Sequence, residues 1–509
     1  MAHLPVLAVV LPLLTAAVLL MVERRGIVAQ RAVSGAGLAA LLAVAVALLV
    51  QADAGVIGIY LVGDWPARLG IALVADRLSA LLVLTTALLG VACLLHASAG
   101  WDRRAMHFHA LFHLQLAGLN GAFLTGDLFN LFVFFEVLLI ASYGLMLSGG
   151  HGARMRAGLH YVVFNITAST LFLIALGLLY GLLGTLNMAE MALRVAQAGA
   201  GDVALIRAAS GVLLVVFCAK AALLPLYLWL PKAYARAPAA VAALFAIMTK
   251  VGVYAVLRVY TLVFGSEAGA LAGWAWQWLL PAGGVTLVLA TLGALAASGM
   301  RMLVAYLVIA SAATLFIAFA LATPDTVAAG LYYLVHSTFV TAALFLIVDL
   351  IRQQRGPVGD FLDRAGPLRN APLLGLLFAA AAVSVAGLPP LSGFLGKVML
   401  LDAVPVGPRG WIWAVVLLTS LMTLVALART GSQVFWRAQE WPDDVRVPAA
   451  PQRLQVAAAA LLLAYGLGLT VWGAPVLRYT RAAAEQLLAP GAYLDAARDA
   501  TPQLRRPSP

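Results

Sequence analysis

Runs of about 20 predominantly apolar residues, the length a helix needs to cross the hydrocarbon core of a bilayer, follow one another along the whole chain. No polar segment large enough for a soluble domain separates them. Of the 509 residues, 63% are hydrophobic and 10% charged. A soluble domain carries about 25% charged residues, so a water-soluble fold is excluded. Splitting at polar and Gly/Pro clusters predicts an all-α polytopic membrane protein of about fourteen spans, the first centred near Leu13 and the last near Leu463. The first run, Leu4 to Met21, lacks a basic leader and a small-residue cleavage site and is expected to be a retained span. The weaker stretch from Ala54 to Ala72, with Asp64 and Pro66, predicts a loop or hairpin outside the membrane plane.

A net charge of +11 could point to nucleic acid, but the charges sit in short loops between apolar runs, so the bilayer is the expected partner. Loops after odd-numbered spans hold eighteen Lys and Arg residues, Arg446 among them. Loops after even-numbered spans hold four, Arg68 among them. By the positive-inside rule the odd loops are cytoplasmic and both termini face outward. Cys93 and Cys218 lie in apolar runs, which argues against disulfides and a Cys-based metal site.

Ionisable residues within the spans are few: Glu136, Lys220, Lys250, His336 and Lys397. Each costs several kcal/mol at mid-membrane depth unless paired or hydrated, so they mark an ion or proton path. The chain has 28 arginines and only four lysines, and three of the lysines fall inside spans while Lys232 lies in a loop. Arginine stays protonated, whereas a buried lysine can release its proton, so lysine is the cation to place where a proton must come and go. The plainer reading is that Glu136 and Lys220 form a static ion pair and that His336 is a satisfied core histidine. Asp76, Arg77, Arg258 and Asp349 sit nearer span ends, where snorkelling or capping accounts for them.

Proline interrupts two spans. The seventh has Pro225 and Pro231 after Lys220; the twelfth has Gly387, Pro389, Pro390 and Gly393 before Lys397. Freed backbone groups are tolerated in membranes where they are buried or line a watery cavity, and paired breaks are a signature of inverted-repeat transporters. Pro225-Leu-Tyr-Leu-Trp-Leu-Pro-Lys232 also aligns without gaps to Pro390-Leu-Ser-Gly-Phe-Leu-Gly-Lys397. The expected organisation is three N-terminal helices in 1–105, five-helix repeats at 106–265 and 274–430, and a last helix with a polar tail in 431–509.

The segments TGDLFNLFVFFEVLLIASYGLML, KAALLPLYLWLP, PAAVAALFAIMTKVGVYAVLRVYTLVF and YYLVHSTFVTAALFLIVDLI carry Glu136, Lys220, Lys250 and His336 in turn. They resemble the D-type subunit of Mrp-type multisubunit cation/proton antiporters, over about Asp76 to Arg437. More broadly they resemble the proton-pumping subunits of respiratory complex I and membrane-bound hydrogenases. The resemblance implies fourteen helices with two inverted five-helix repeats, in a bacterial cytoplasmic membrane, among other membrane subunits. It implies that Glu136 modulates Lys220, that Lys250 joins the halves, and that His336 and Lys397 continue a midplane proton path. The long lateral helix of the largest relatives is unmatched, which favours the D type over the A type. The expected activity is exchange of protons for a monovalent cation, Na⁺ first. A redox-driven pump and a proton-coupled inorganic-carbon uptake system remain alternatives.

Enzymatic chemistry has no motif here: there is no phosphate loop, HExxH or nucleophile elbow, and no cofactor or metal is expected. His107, His109 and His113 do not share one helix face, so they read as interfacial residues. The tail from Ala492 to Pro509 reads as disordered.

Overall fold

The computed structural model describes residues 3–66, 70–150, 152–437 and 452–500. Its helices in chain order are α1 (Leu4–Val22), α2 (Ile27–Asp53), α3 (Arg77–Ala97), α4 (Phe108–Leu124), α5 (Leu128–Leu147), α6 (Gly152–Leu183) and α7 (Met188–Ala196). They continue with α8 (Val203–Lys220), α9 (Leu230–Arg236), α10 (Ala239–Phe245), α11 (Met248–Leu262), α12 (Trp276–Ala296) and α13 (Met300–Ala320). The last are α14 (Pro324–Gln353), α15 (Ala371–Ala386), α16 (Ser392–Ala403), α17 (Arg409–Gly431), α18 (Arg453–Val471), α19 (Gly473–Leu488) and α20 (Gly491–Asp499). Twelve helical stretches among the described residues are long and apolar enough to cross a membrane, with α10–α11 counted as one. The 17-residue α4 and the interrupted pair α15–α16 bring the number to the expected fourteen.

Arg68 and Arg446 lie outside the described residues. Ala54–Ala72 behaves as expected: β1 (Gly58–Leu61) pairs antiparallel with β2 (Ala72–Ala75), Gly58 opposite Ala75. The tail differs from the expectation of disorder. Gly491–Asp499 is helical because Tyr493 and Leu494 are buried against the body of the protein; residues 501–509 lie outside the described residues.

Helix starts are written locally. Asp76 and Asp127 accept from the backbone N–H groups of Ser79 and Asn130, and Thr323 caps α14 through Thr326. The core runs along α10–α11 and α14, which are buried along their length by α3, α13, α16, α18 and α19.

Basic loops meet one another on one face. Arg154 Nε donates to Arg236 O at 3.0 Å, Arg429 to Leu295 O at 2.7 Å, and Arg301 pairs with Asp360 at 2.8 Å. On the same face Arg31 and His109 converge on Asp102, at 2.6 and 3.3 Å, while His107 meets Glu23 at 2.8 Å. Burial works against the charge of Asp102, yet the hydrogen bonds from Arg31 and His109 bring its carboxyl down to about 2. A carboxylate depressed in the folded state stabilises the fold above its unfolded value, near 3.9, and that contribution fades as pH falls through the folded one. Thermal unfolding in detergent should therefore lose stability between about pH 4 and pH 2, and Asp102→Asn should flatten that part of the profile.

At the opposite face Arg258 is no snorkelling side chain. It is buried in α11 and pairs with Asp76 at 2.6 Å, its guanidinium 5.6 Å from the Tyr254 ring centroid and 5.5 Å from that of Tyr493. This contact joins residues 182 positions apart, which is why local sequence could not show it. Arg258→Met leaves a buried carboxylate unpaired and should destabilise the protein by about 3–5 kcal/mol. Adding Asp76→Asn should recover most of that loss, read as melting temperature of the purified protein.

Candidate functional site

All five intramembrane residues face the interior, and each is met by a serine from a neighbouring helix. Lys220, in the last turn of α8, donates from Nζ to Ser169 Oγ of α6 at 3.0 Å. Ser169 in turn donates to Glu136 Oε1 of α5. The two charges therefore do not touch: one hydroxyl stands between them, accepting from the ammonium and donating to the carboxylate. The Phe135 ring centroid lies 5.5 Å from the ammonium and covers its remaining side.

Lys250, fully buried in α11, donates to Ser311 Oγ of α13 at 2.8 Å. His336 of α14 shares a hydrogen bond between Nδ1 and Ser392 Oγ, at 2.9 Å, on the first turn of α16. Lys397 of α16 donates to Ser420 Oγ of α17 at 2.9 Å and to two main-chain carbonyls, Ala386 O at 2.9 Å and Val385 O at 3.2 Å.

The breaks explain where these groups sit. Between α8 and α9 the chain turns through residues 221–229, and the backbone groups released there find partners. Trp229 Nε1 donates to Ala219 O at 3.2 Å, and Thr286 Oγ1 of α12 accepts from Leu224 N at 3.0 Å. Between α15 and α16 the released carbonyls of Val385 and Ala386 receive Lys397 itself. In both broken spans a lysine thus belongs to the C-terminal end of the first half-helix, where the backbone carbonyls concentrate negative potential. Pro225, Pro389 and Pro390 are exposed on the turns. The gap-free sequence match pairs Lys397 with Lys232, but Lys232 is exposed on α9.

Two glycines are fixed by close approach. A Cβ on Gly393 would stand 1.8 Å from Ser384 O and 2.9 Å from His336 Nε2, so only glycine lets α16 start against both. A Cβ on Gly252 would meet Ala221 N at 2.5 Å, so the backbone beyond Lys250 lies directly on the end of α8 beyond Lys220. A third break, between α10 and α11, carries neither Pro nor Gly. Tyr234 Oη donates to Phe245 O at 3.0 Å and satisfies the carbonyl released there, five residues before Lys250.

Sequence reasoning missed Ser169, Ser311, Ser392 and Ser420, for which the chain offers no local signal. Lys220, Lys250 and His336 are buried, whereas Glu136 and Lys397 are only half-buried. The middle members of the row are thus enclosed, while the first and last keep part of their surface uncovered.

Residues 125–423 match the family described as NADH:quinone oxidoreductase/Mrp antiporter, TM. The chain is 39% identical to the D-type subunit of a probable K(+)/H(+) antiporter from Rhizobium meliloti, over 96% of each protein. It is 38% identical to the D-type subunit of the Na(+)/H(+) antiporter from Bacillus subtilis, over 85% of this chain and 87% of that one. In structure it superposes on a chain of the Mrp complex from a Dietzia species with a TM-score of 0.88 and 30% identity, covering 97% of this chain and 99% of that one. A chain of an archaeal membrane-bound sulfane sulfur reductase shares the fold, with a TM-score of 0.86 at 24% identity over 97% of this chain and 100% of that one.

Ser169→Ala would leave the Glu136 carboxylate and the Lys220 ammonium without their common partner. A hydrogen bond to a charged group contributes about 1.5–3 kcal/mol, so vesicles carrying the assembled variant should transport on the order of tenfold more slowly or worse. Ser169→Thr should recover most of the rate.

Proposed function

The chain belongs to the NADH:quinone oxidoreductase/Mrp antiporter transmembrane family, and on that premise we propose that it is the D-type, proton-translocating subunit of a multisubunit monovalent cation/proton antiporter. The observation that carries the assignment is the row of internal titratable groups, each held by a hydroxyl from another helix. Protons pass along Lys220, Lys250, His336 and Lys397, with waters bridging the gaps. Glu136 and Ser169 act as the switch: while Ser169 joins them, the carboxylate holds the proton on Lys220. When the contact opens, a buried ammonium without a counter-charge releases its proton. The regions 106–265 and 274–430 act as two antiporter-like half-channels, each supplied by its own broken span. The 1–105 and 431–509 regions flank them.

The exchanged cation in this reading is Na⁺, for which the Bacillus subtilis relative is named. The chain works with further membrane subunits in a bacterial cytoplasmic membrane. The face that gathers the basic loops is cytoplasmic, and both termini lie on the opposite side. A redox-driven pump and an inorganic-carbon uptake complex have less behind them, because the Rhizobium meliloti and Bacillus subtilis relatives, at 39% and 38% identity, are named as antiporter subunits, whereas the sulfane sulfur reductase chain shares only the fold.

Lys220→Ala and Glu136→Ala, each with assembly verified by co-purification of partner subunits, should abolish proton-coupled cation efflux from vesicles. Wild-type exchange in either variant would sink the assignment.

A further inference from the structure

A cavity of about 30 Å³ lies beside Lys397, its wall part apolar and part formed by Ser311, Thr314, Tyr333, Thr419 and Ser420. A water needs about 10–15 Å³ on this measure and two to four polar partners, so the cavity has room and partners for one or two waters. Its walls reach both lysines. Ser311 is the acceptor for Lys250 at 2.8 Å, and Lys397 itself lines the cavity while donating to Ser420. Each serine's own proton rests on a carbonyl of its own helix, Ser311 on Val308 O and Ser420 on Val416 O, both at 2.7 Å. A turn about one side-chain bond moves such a proton off the carbonyl. His336 is not among the lining residues; its Nδ1 is occupied with Ser392.

We infer that Lys250 and Lys397 exchange a proton through Ser311 and one or two waters in this cavity, by a link that bypasses His336. This link rests on the proton path proposed above. The Lys250 ammonium gives a proton to Ser311 Oγ as the Ser311 hydroxyl, turned away from Val308 O, gives its own to a cavity water. That water, directly or through a second, protonates the neutral amine of Lys397. One lysine loses a proton, the other gains it, and the serine and waters are restored. Thr314 and Thr419 offer hydroxyls to hold the waters in line.

The test uses the whole antiporter complex in proteoliposomes, with assembly checked by co-purification and proton-driven cation flux as the readout. Ser311→Ala should lower flux on the order of tenfold, while Ser311→Thr stays within about threefold of wild type. Ala310→Leu, which fills the cavity and leaves every ionisable residue in place, should lower flux as much as Ser311→Ala. Wild-type flux in both Ser311→Ala and Ala310→Leu, with Lys250→Ala inactive, overturns the link and leaves the path standing. Loss in Ser311→Ala alone assigns Ser311 to holding Lys250 in place and also overturns the link. Wild-type flux in Lys250→Ala overturns the path itself.

Discussion

An ammonium in a low-dielectric interior must find acceptors or lose its proton, and the architecture is arranged around that requirement. Three lysines are enclosed by helices, and none of the three touches a carboxylate among the described residues. Each is met instead by a serine hydroxyl from a different helix, which binds a charge without cancelling it. A direct ion pair would hold the proton firmly; a hydroxyl accepts from the ammonium and can itself pass a proton on. The arrangement thus makes each lysine tolerable in the membrane without pairing it to a carboxylate among the described residues. A protein needing only packing would have put leucine at these places.

The helix breaks serve the same requirement from the backbone side. Uncoiling a span releases carbonyls that lipid cannot satisfy, so each break must import donors. At α15–α16 the donor is Lys397 itself, and at α8–α9 it is Trp229. At α10–α11 it is Tyr234. At α15–α16 the break and the charge are one feature: the released carbonyls of Val385 and Ala386 supply negative potential where the Lys397 ammonium sits, and the lysine satisfies the break. Gly252 and Gly393 then bring these sites close together by removing the side-chain atoms that would stand in the way.

What the sequence made legible follows from the range over which each feature acts. The spans, the hairpin at 58–75, and the two proline breaks are local and stood out in composition and spacing. Glu136, Lys220, Lys250, His336 and Lys397 stood out because charge is rare in these runs. Their partners did not. A serine in an apolar helix commonly bonds back to its own carbonyl, as Ser311 and Ser420 do here, so its residue type says nothing about a second bond across helices. The α10–α11 break was hidden for a different reason. It lies in an Ala-rich run and depends on Tyr234, which approaches from α9. The Asp76–Arg258 pair joins positions 182 residues apart and looked from each side like an ordinary span-end charge. The short repeat match aligned Lys397 with Lys232, which is exposed on α9 and has none of the contacts that hold Lys397. Lys397 stands beyond its break and reaches back to the carbonyls of the half-helix before it, whereas Lys220 is the last residue before the other break and reaches across to α6.

The uneven covering of the row bears on how the chain works. Lys220, Lys250 and His336 are buried, so their contacts are with the protein interior alone. Glu136 and Lys397 are half-covered and lie in different halves of the protein. A charge at mid-membrane depth is not left against lipid at a cost of several kcal/mol when a neighbour can cover it. The physical expectation is that other membrane subunits close over these two ends, as the multisubunit assignment requires. The chain would then be the sealed middle of a longer line.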